Sequence, residues 1–216
     1  MGSKKLNYTR CAVICHGKSE FQIAKFIKSN LHLKMEIFAK NKGESSIQIT
    51  SLMDFIDKKI FTNIKKFAED YSIERNKNQL IGFKIFIIMD TDDCTELQKE
   101  NFLNKQMFNN HPLNNYICPI ANIPDLENVL MNSGIMFKKI KKKDKGDYYI
   151  ETFPINSEPL SFNSYNEVKT LRDKLKSVKN TKLDEFLTYC LDLIKLTWYS
   201  QMLKSRWTIV TLKYKI

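Results

Sequence analysis

The stretch Phe83-Lys84-Ile85-Phe86-Ile87-Ile88-Met89-Asp90-Thr91-Asp92-Asp93 decides the fold. Its apolar residues, interrupted only by Lys84, run straight into three carboxylates. An apolar run of this length without helical period reads as a buried strand of a parallel sheet. Open α/β sheets bind ligands just beyond the carboxyl ends of their strands, where these carboxylates stand. Asp90 and Asp92 are two residues apart, so in an extended segment they point the same way. Two carboxylates brought close either share a proton or hold a divalent cation. The same stretch also fits an ordinary strand followed by an acidic turn, so the flanking chain has to decide.

Upstream, Tyr8 to Cys15 (YTRCAVIC) reads as a first strand ending in His16-Gly17-Lys18-Ser19. Ser19 is placed to cap a helix from about Glu20, with Phe21, Ile23, Ala24, Phe26, Ile27 and Leu31 on its apolar side. Leu33 to Ala39 forms a second strand that closes in the basic turn Lys40-Asn41-Lys42-Gly43. Ser45 or Ser46 caps a long helix from about Ile47 to Tyr71, and Ser72 to Leu80 is loop-like. Downstream come a helix within Thr95–Asn109, a fourth strand over Tyr116–Ile120 and a short helix opening at Asp125. The order β-α-β-α-β-α-β-α predicts an α/β fold with a mostly parallel sheet and helices on both faces.

Residues 1–135 are read as this sheet domain and 136–216 as a basic, mainly helical extension packed on it. The extension opens with a lysine run over Phe137–Asp147 and continues through a loop over Ile150–Asn163. Helices over Tyr165–Val178 and Thr181–Ser200 follow, with a terminal strand over Trp207–Ile216.

The 216 residues are 43% hydrophobic and 27% charged, which suits one folded domain with an appendage and not a disordered chain. No apolar run approaches a membrane span, and no signal peptide is visible. Five scattered cysteines without a CxxC pair predict reduced thiols and a cytoplasmic protein. Three widely spaced histidines give no zinc pattern. A net charge of +11 favours a polyanionic partner, nucleic acid before membrane.

Four polar clusters fall at predicted strand ends: His16 to Glu20, Lys40 to Glu44, Asp90 to Asp93, and Asp125 to Glu127. In a parallel sheet these ends share one edge. Carboxylates gathered there repel one another unless a cation is bound, and an oxygen-rich site suits Mg2+ or Mn2+. Each residue also has a plain structural role open to it. Glu20 suits the first turn of a helix, Asp93 suits a helix cap, and Asp125 and Glu127 suit the turn after Pro124. The lysines suit a solvated face.

With these residues in view, the chain resembles the TOPRIM domain over roughly residues 8–132, most closely that of the OLD-type and related bacterial defence nucleases. The likeness rests on strand–glycine turn–Glu20, on the strand ending in Asp90-Thr91-Asp92, and on Pro124-Asp125-Leu126-Glu127-Asn128-Val129-Leu130. It departs from the family at His16, where the first strand normally ends in Glu-Gly. The resemblance implies a Rossmann-like TOPRIM sheet and metal-dependent cleavage of DNA or RNA, with a role in antiviral defence. It implies Glu20, Asp90, Asp92, Asp125 and Glu127 as metal ligands, and His16, Glu20, Asp90 and Asp92 as the catalytic set.

Lys18, Lys40 and Lys42, with Lys139, Lys141, Lys142 and Lys143 from the lysine run, are the expected nucleic-acid contacts. The chain carries no GxxxxGK[ST] motif, so the resemblance implies a separate ATPase partner, and a homodimer is left open.

Three other readings stand beside this one. The first is a DxD phosphatase of the haloacid-dehalogenase type, from Asp90-Thr91-Asp92-Asp93-Cys94-Thr95, although the Thr is one place late. The second is a receiver- or flavodoxin-like signalling domain, which would need an acidic pair after the first strand. The third is a catalytically impaired nucleic-acid-binding or regulatory subunit of a defence complex, the reading that His16 favours.

Overall fold

Strand β1 (Cys11–Cys15) is buried at all five positions, which requires protein on both faces of the sheet. A computed structural model describes residues 8–136, 138, 140–141 and 144–195. β1 lies between β2 (Met35–Phe38) and β3 (Lys84–Asp90), and β3 is followed by β4 (Ile117–Asn122). The order is β2-β1-β3-β4 and every pairing is parallel. The protein is thus an α/β fold with a four-stranded parallel sheet, as the element order predicted. A two-residue antiparallel ladder, Arg75–Asn76 with Gln79–Leu80, lies outside this sheet in the stretch expected to be loop.

Alternate strand residues feed two cores, as the two-residue repeat of a strand demands. Cys11, Val13, Cys15, Phe86 and Ile88 join a cluster with α1 (Lys18–Asn30), α6 (Leu126–Asn132), α7 (Lys145–Thr152), α8 (Phe162–Leu175) and the helical stretch 183–195, here α9. Ala12, Ile14, Ile85, Ile87 and Met89 join the opposite cluster. That cluster also takes in α2 (Leu52–Ile56), α3 (Lys59–Thr62), α4 (Ile64–Asp70) and α5 (Glu96–Leu103). The described part of the C-terminal extension therefore shares a core with the sheet. Phe186 packs against Phe86 at 4.8 Å between ring centroids.

Several local expectations are corrected. The single helix over 47–71 is three short helices after a 3-10 turn over Ile49–Ser51. Asn63 takes an extended backbone and its side chain accepts from Lys66 N–H, so it starts a new helix instead of continuing the old one. The break shifts the apolar phase, so that Phe61 is buried while Ile60 and Ile64 are only partly so. No serine cap at 45 or 46 opens this segment, since Gln48 precedes the 3-10 turn.

Helix α1 starts two residues earlier than Ser19 suggests. Gly17 is its N-cap, and the Glu20 carboxylate folds back to accept Gly17 N–H at 2.9 Å. Thr95, not Asp93, caps α5. Residues 145–152, read as lysine run and loop, form α7. The expected strand over 207–216 and the end of the last helix, residues 196–200, lie outside the described residues. Among the described residues no helix is long and apolar enough to cross a membrane.

Candidate active site at the switch point of the sheet

The chain leaves β1 for β2 on one side and returns to β3 on the other. The carboxyl ends of β1 and β3 therefore flank the point where strand order reverses, the usual ligand crevice of an open α/β sheet. Register places the four ends together: Ile14 lies opposite Phe38, Cys15 opposite Ile88, and Asp90 opposite Asn122. His16 N–H extends the ladder to Ile88 C=O at 2.9 Å. Local structure thus delivers His16 and Glu20 from the β1–α1 turn, Asp90 from β3, and Asp125 from the turn after β4.

Glu20 is buried, with 3% of its surface exposed. Burial pushes its carboxyl up to about 7, and nearby Asp125 adds to the rise. Hydrogen bonds from its own and the Gly17 backbone N–H, and the charge of Lys145, oppose it. Asp90 is pushed up to about 8, first by burial and then by Glu20, with Asp125 adding. His16 and the Asn122 hydrogen bond pull it back. Asp90 Oδ1 accepts from Asn122 Nδ2 and from Leu126 N–H, each at 3.0 Å. Both donors meet on one oxygen, which leaves Oδ2 for another partner.

The remaining expected ligands have other engagements. Asp92 is exposed in the turn beyond β3, where its charge acts on Asp93 and Cys94. Asp125 caps α6, its Oδ1 accepting from Asn128 N–H and Nδ2 at 2.8 Å each. The Glu127 side chain is 12% exposed and ion-paired to Lys145 at the start of α7. Among the described residues no three His, Cys, Asp or Glu side chains are grouped as the ligand set of a metal ion. The chemistry of the donors nonetheless fits a hard cation. Buried Glu20 adds to the desolvation that raises the affinity of partly buried Asp90 for a proton, and a cation would oppose that rise. Near Asp90, His16 Nδ1 is buried without a hydrogen-bond partner, as is the Oδ1 of Asp93, on which His16 also acts.

Lys18 opens α1 beside the turn that carries Lys40 and Lys42. Lys18 Nζ pairs with Glu44 at 2.9 Å across an exposed gap, a contact worth little by itself. Lys40, Lys42 and Lys141 are exposed, and Lys139, Lys142 and Lys143 lie outside the described residues. Asn41, Lys42 and Gly43 all have positive φ, of 49°, 56° and 91°. Gly43 packs so closely on α1 that an added Cβ would stand 2.9 Å from Lys18 Cα. Gly43→Ala combines that clash with a backbone hostile to side chains. We expect it to cost about 2 kcal/mol or more in a urea melt, and an unchanged midpoint would refute this account of the turn.

Two residues at the site escaped sequence reading, Asn122 and Lys145. Asn122 is fully buried at the end of an otherwise apolar strand, and that lone amide in Ile-Cys-Pro-Ile-Ala-Asn was the one signal for it. Lys145 looked like one more member of a lysine run. Tyr149 is buried on α7, its hydroxyl made a weaker acid by burial and by Glu20. No family model, curated protein or solved structure matches this chain.

Proposed function

We propose that the protein is a TOPRIM-like nuclease that cleaves phosphodiester bonds of nucleic acid with the help of Mg2+ or Mn2+. One observation carries this reading: buried Glu20 and partly buried Asp90 stand together at the switch point of a parallel sheet, in an environment that opposes their ionisation. Such a pair is stable as two carboxylates only when positive charge is supplied. Glu20 and Asp90 are the residues that would hold the cation; Asp92 is exposed, and Asp125 and Glu127 would have to leave a helix cap and an ion pair to join them. A bound divalent ion would supply stabilisation of charge on phosphate oxygens and a more acidic water.

The chain's own residues do the rest. The Gly17 and Leu126 N–H groups orient the two carboxylates. His16, beside Asp90 and Asp93 and with Nδ1 unbonded, is the group able to take or give a proton there. Exposed Lys40, Lys42 and Lys141, within a chain of net charge +11, supply phosphate contacts.

Purified protein incubated with DNA or RNA and Mg2+ or Mn2+ tests the reading, beside Glu20→Ala and Asp92→Ala. Cation-dependent cleavage lost in Glu20→Ala is the expected result. No cleavage under any metal, or equal cleavage by both variants and the parent, would sink it. His16 and the exposed position of Asp92 favour a second reading, a subunit that binds nucleic acid without cutting it. That reading expects binding to persist where cleavage is absent. A phosphoenzyme trapped on Asp90 would instead indicate the phosphatase reading.

A further inference from the structure

The C-terminal extension reaches the candidate site through a chain of hydrogen bonds with a fixed direction. Thr181 precedes α9, and its Oγ1 accepts Leu183 N–H at 3.3 Å. The hydroxyl proton is thereby free to be donated to Asn122 Oδ1 at 3.0 Å. With its oxygen so engaged, Asn122 presents Nδ2 to Asp90 Oδ1, also at 3.0 Å. Asn122 is fully buried and Thr181 nearly so, which leaves the amide no water to turn to. The segment is clamped to the end of β4 on its other side, where Ile123 N–H donates to Asn180 C=O at 3.0 Å and Asn180 Nδ2 donates to Ile123 C=O.

Resting on the proposed function, we infer that Thr181 is a positioning residue for Asp90, acting through Asn122. Thr181 satisfies the carbonyl end of the Asn122 amide and so commits its NH2 end to Asp90. That donor, with Leu126 N–H, fills Oδ1 and reserves Oδ2 for a cation. Groups that orient a metal ligand in this way contribute strongly to affinity. Without the hydroxyl proton, Asn122 Oδ1 is buried with no donor. The amide is then no longer held to one orientation from the Thr181 side, and the bond from Nδ2 that helps to hold the carboxylate is loosened. Residues far apart in sequence, 90, 122 and 181, thus form one unit, and the extension belongs to the site.

Thr181→Val keeps the shape and removes the proton, whereas Thr181→Ser keeps it. Binding of Mn2+ to the full-length protein, read by titration calorimetry, is expected to weaken about tenfold in the Val variant and to be restored in the Ser variant. In the metal-free protein, the Asn122 side-chain amide resonances are expected to shift and to exchange faster in Thr181→Val, but not in Thr181→Ser.

Unchanged Asn122 resonances in Thr181→Val overturn the inference. So does unchanged Mn2+ affinity in that variant when Asp90→Asn no longer binds. A loss of melting temperature with neither change marks Thr181 as a residue of the fold alone and has the same consequence. If the parent protein binds no Mn2+, the nuclease reading fails, and the amide resonances alone decide the relay.

Discussion

Asp90→Asn is expected to abolish cation-dependent cleavage, lowering the rate about 100-fold or more, while making the metal-free protein more stable at pH 8. The loss follows from removing a charged oxygen that would hold the cation, whose stabilisation of transition-state charge amounts to several kcal/mol. The gain follows from the cost of the native residue. Asp90 is forced toward its neutral form by burial and by Glu20, so its charge at pH 8 opposes folding. An Asn side chain keeps the oxygen that accepts from Asn122 Nδ2 and Leu126 N–H and discards the charge. A structural aspartate would behave in the opposite way, since its loss would destabilise. Cleavage assays and thermal melts of the same preparation separate the two, and reduced stability with retained cleavage would refute the assignment. A site that sacrifices stability for function is a common trade in enzymes.

Without divalent cation, the protein should lose stability as pH rises from 5 to 8, and Mg2+ should restore it at the upper end. The sign follows from proton linkage. Glu20 and Asp90 titrate near 7 and 8 in the folded chain, against ordinary values of 4.5 and 3.8. The folded state therefore holds protons that the unfolded state has released, and stability falls with pH across that window. The contribution is fully present below about pH 4 and is lost as pH passes through the folded values.

A tenfold difference in proton affinity between the folded and unfolded chain corresponds to about 1.4 kcal/mol, and because the two groups act on each other their effects are not added. A loss of about 3 kcal/mol is expected, roughly 10 °C in melting temperature for a chain of this size. Mg2+ should recover much of it at pH 8 and little at pH 5, where protons occupy the site. Asp90→Asn should flatten the profile. Melting temperatures that rise or stay level from pH 5 to 8 in a chelator would contradict the coupling of Glu20 and Asp90.

Much of the fold was legible because its signals are local. The central strand was expected from the apolar run that follows Phe83 and is interrupted only by Lys84, and β3 covers Lys84–Asp90. The parallel arrangement followed from helices alternating with buried strands. Local competition was harder to see. Asn63 divides an apolar pattern that reads as one helix over 47–71, because a short side chain that bonds the next turn's N–H outweighs a continuous period. The Glu20 side chain does similar work at α1, taking over a cap expected from Ser19.

The site divides along the same line. Sequence by itself determined which carboxylates stand at strand ends, because an apolar run that stops at Asp90 and a glycine turn before Glu20 are features of a few adjacent residues. It also determined the positive charge that favours a polyanion. Only the tertiary structure decided how those groups are used. It buried Glu20 and set partly buried Asp90 beside it, left Asp92 exposed, gave Asp125 to a helix cap and paired Glu127 with Lys145. It also brought Asn122 and Thr181 to Asp90 from 32 and 91 residues away. The physical reason is that ionisation and hydrogen-bond direction depend on burial and on neighbours in space. Strand order, which brings β1 beside β3, sets those neighbours, and spacing along the chain does not.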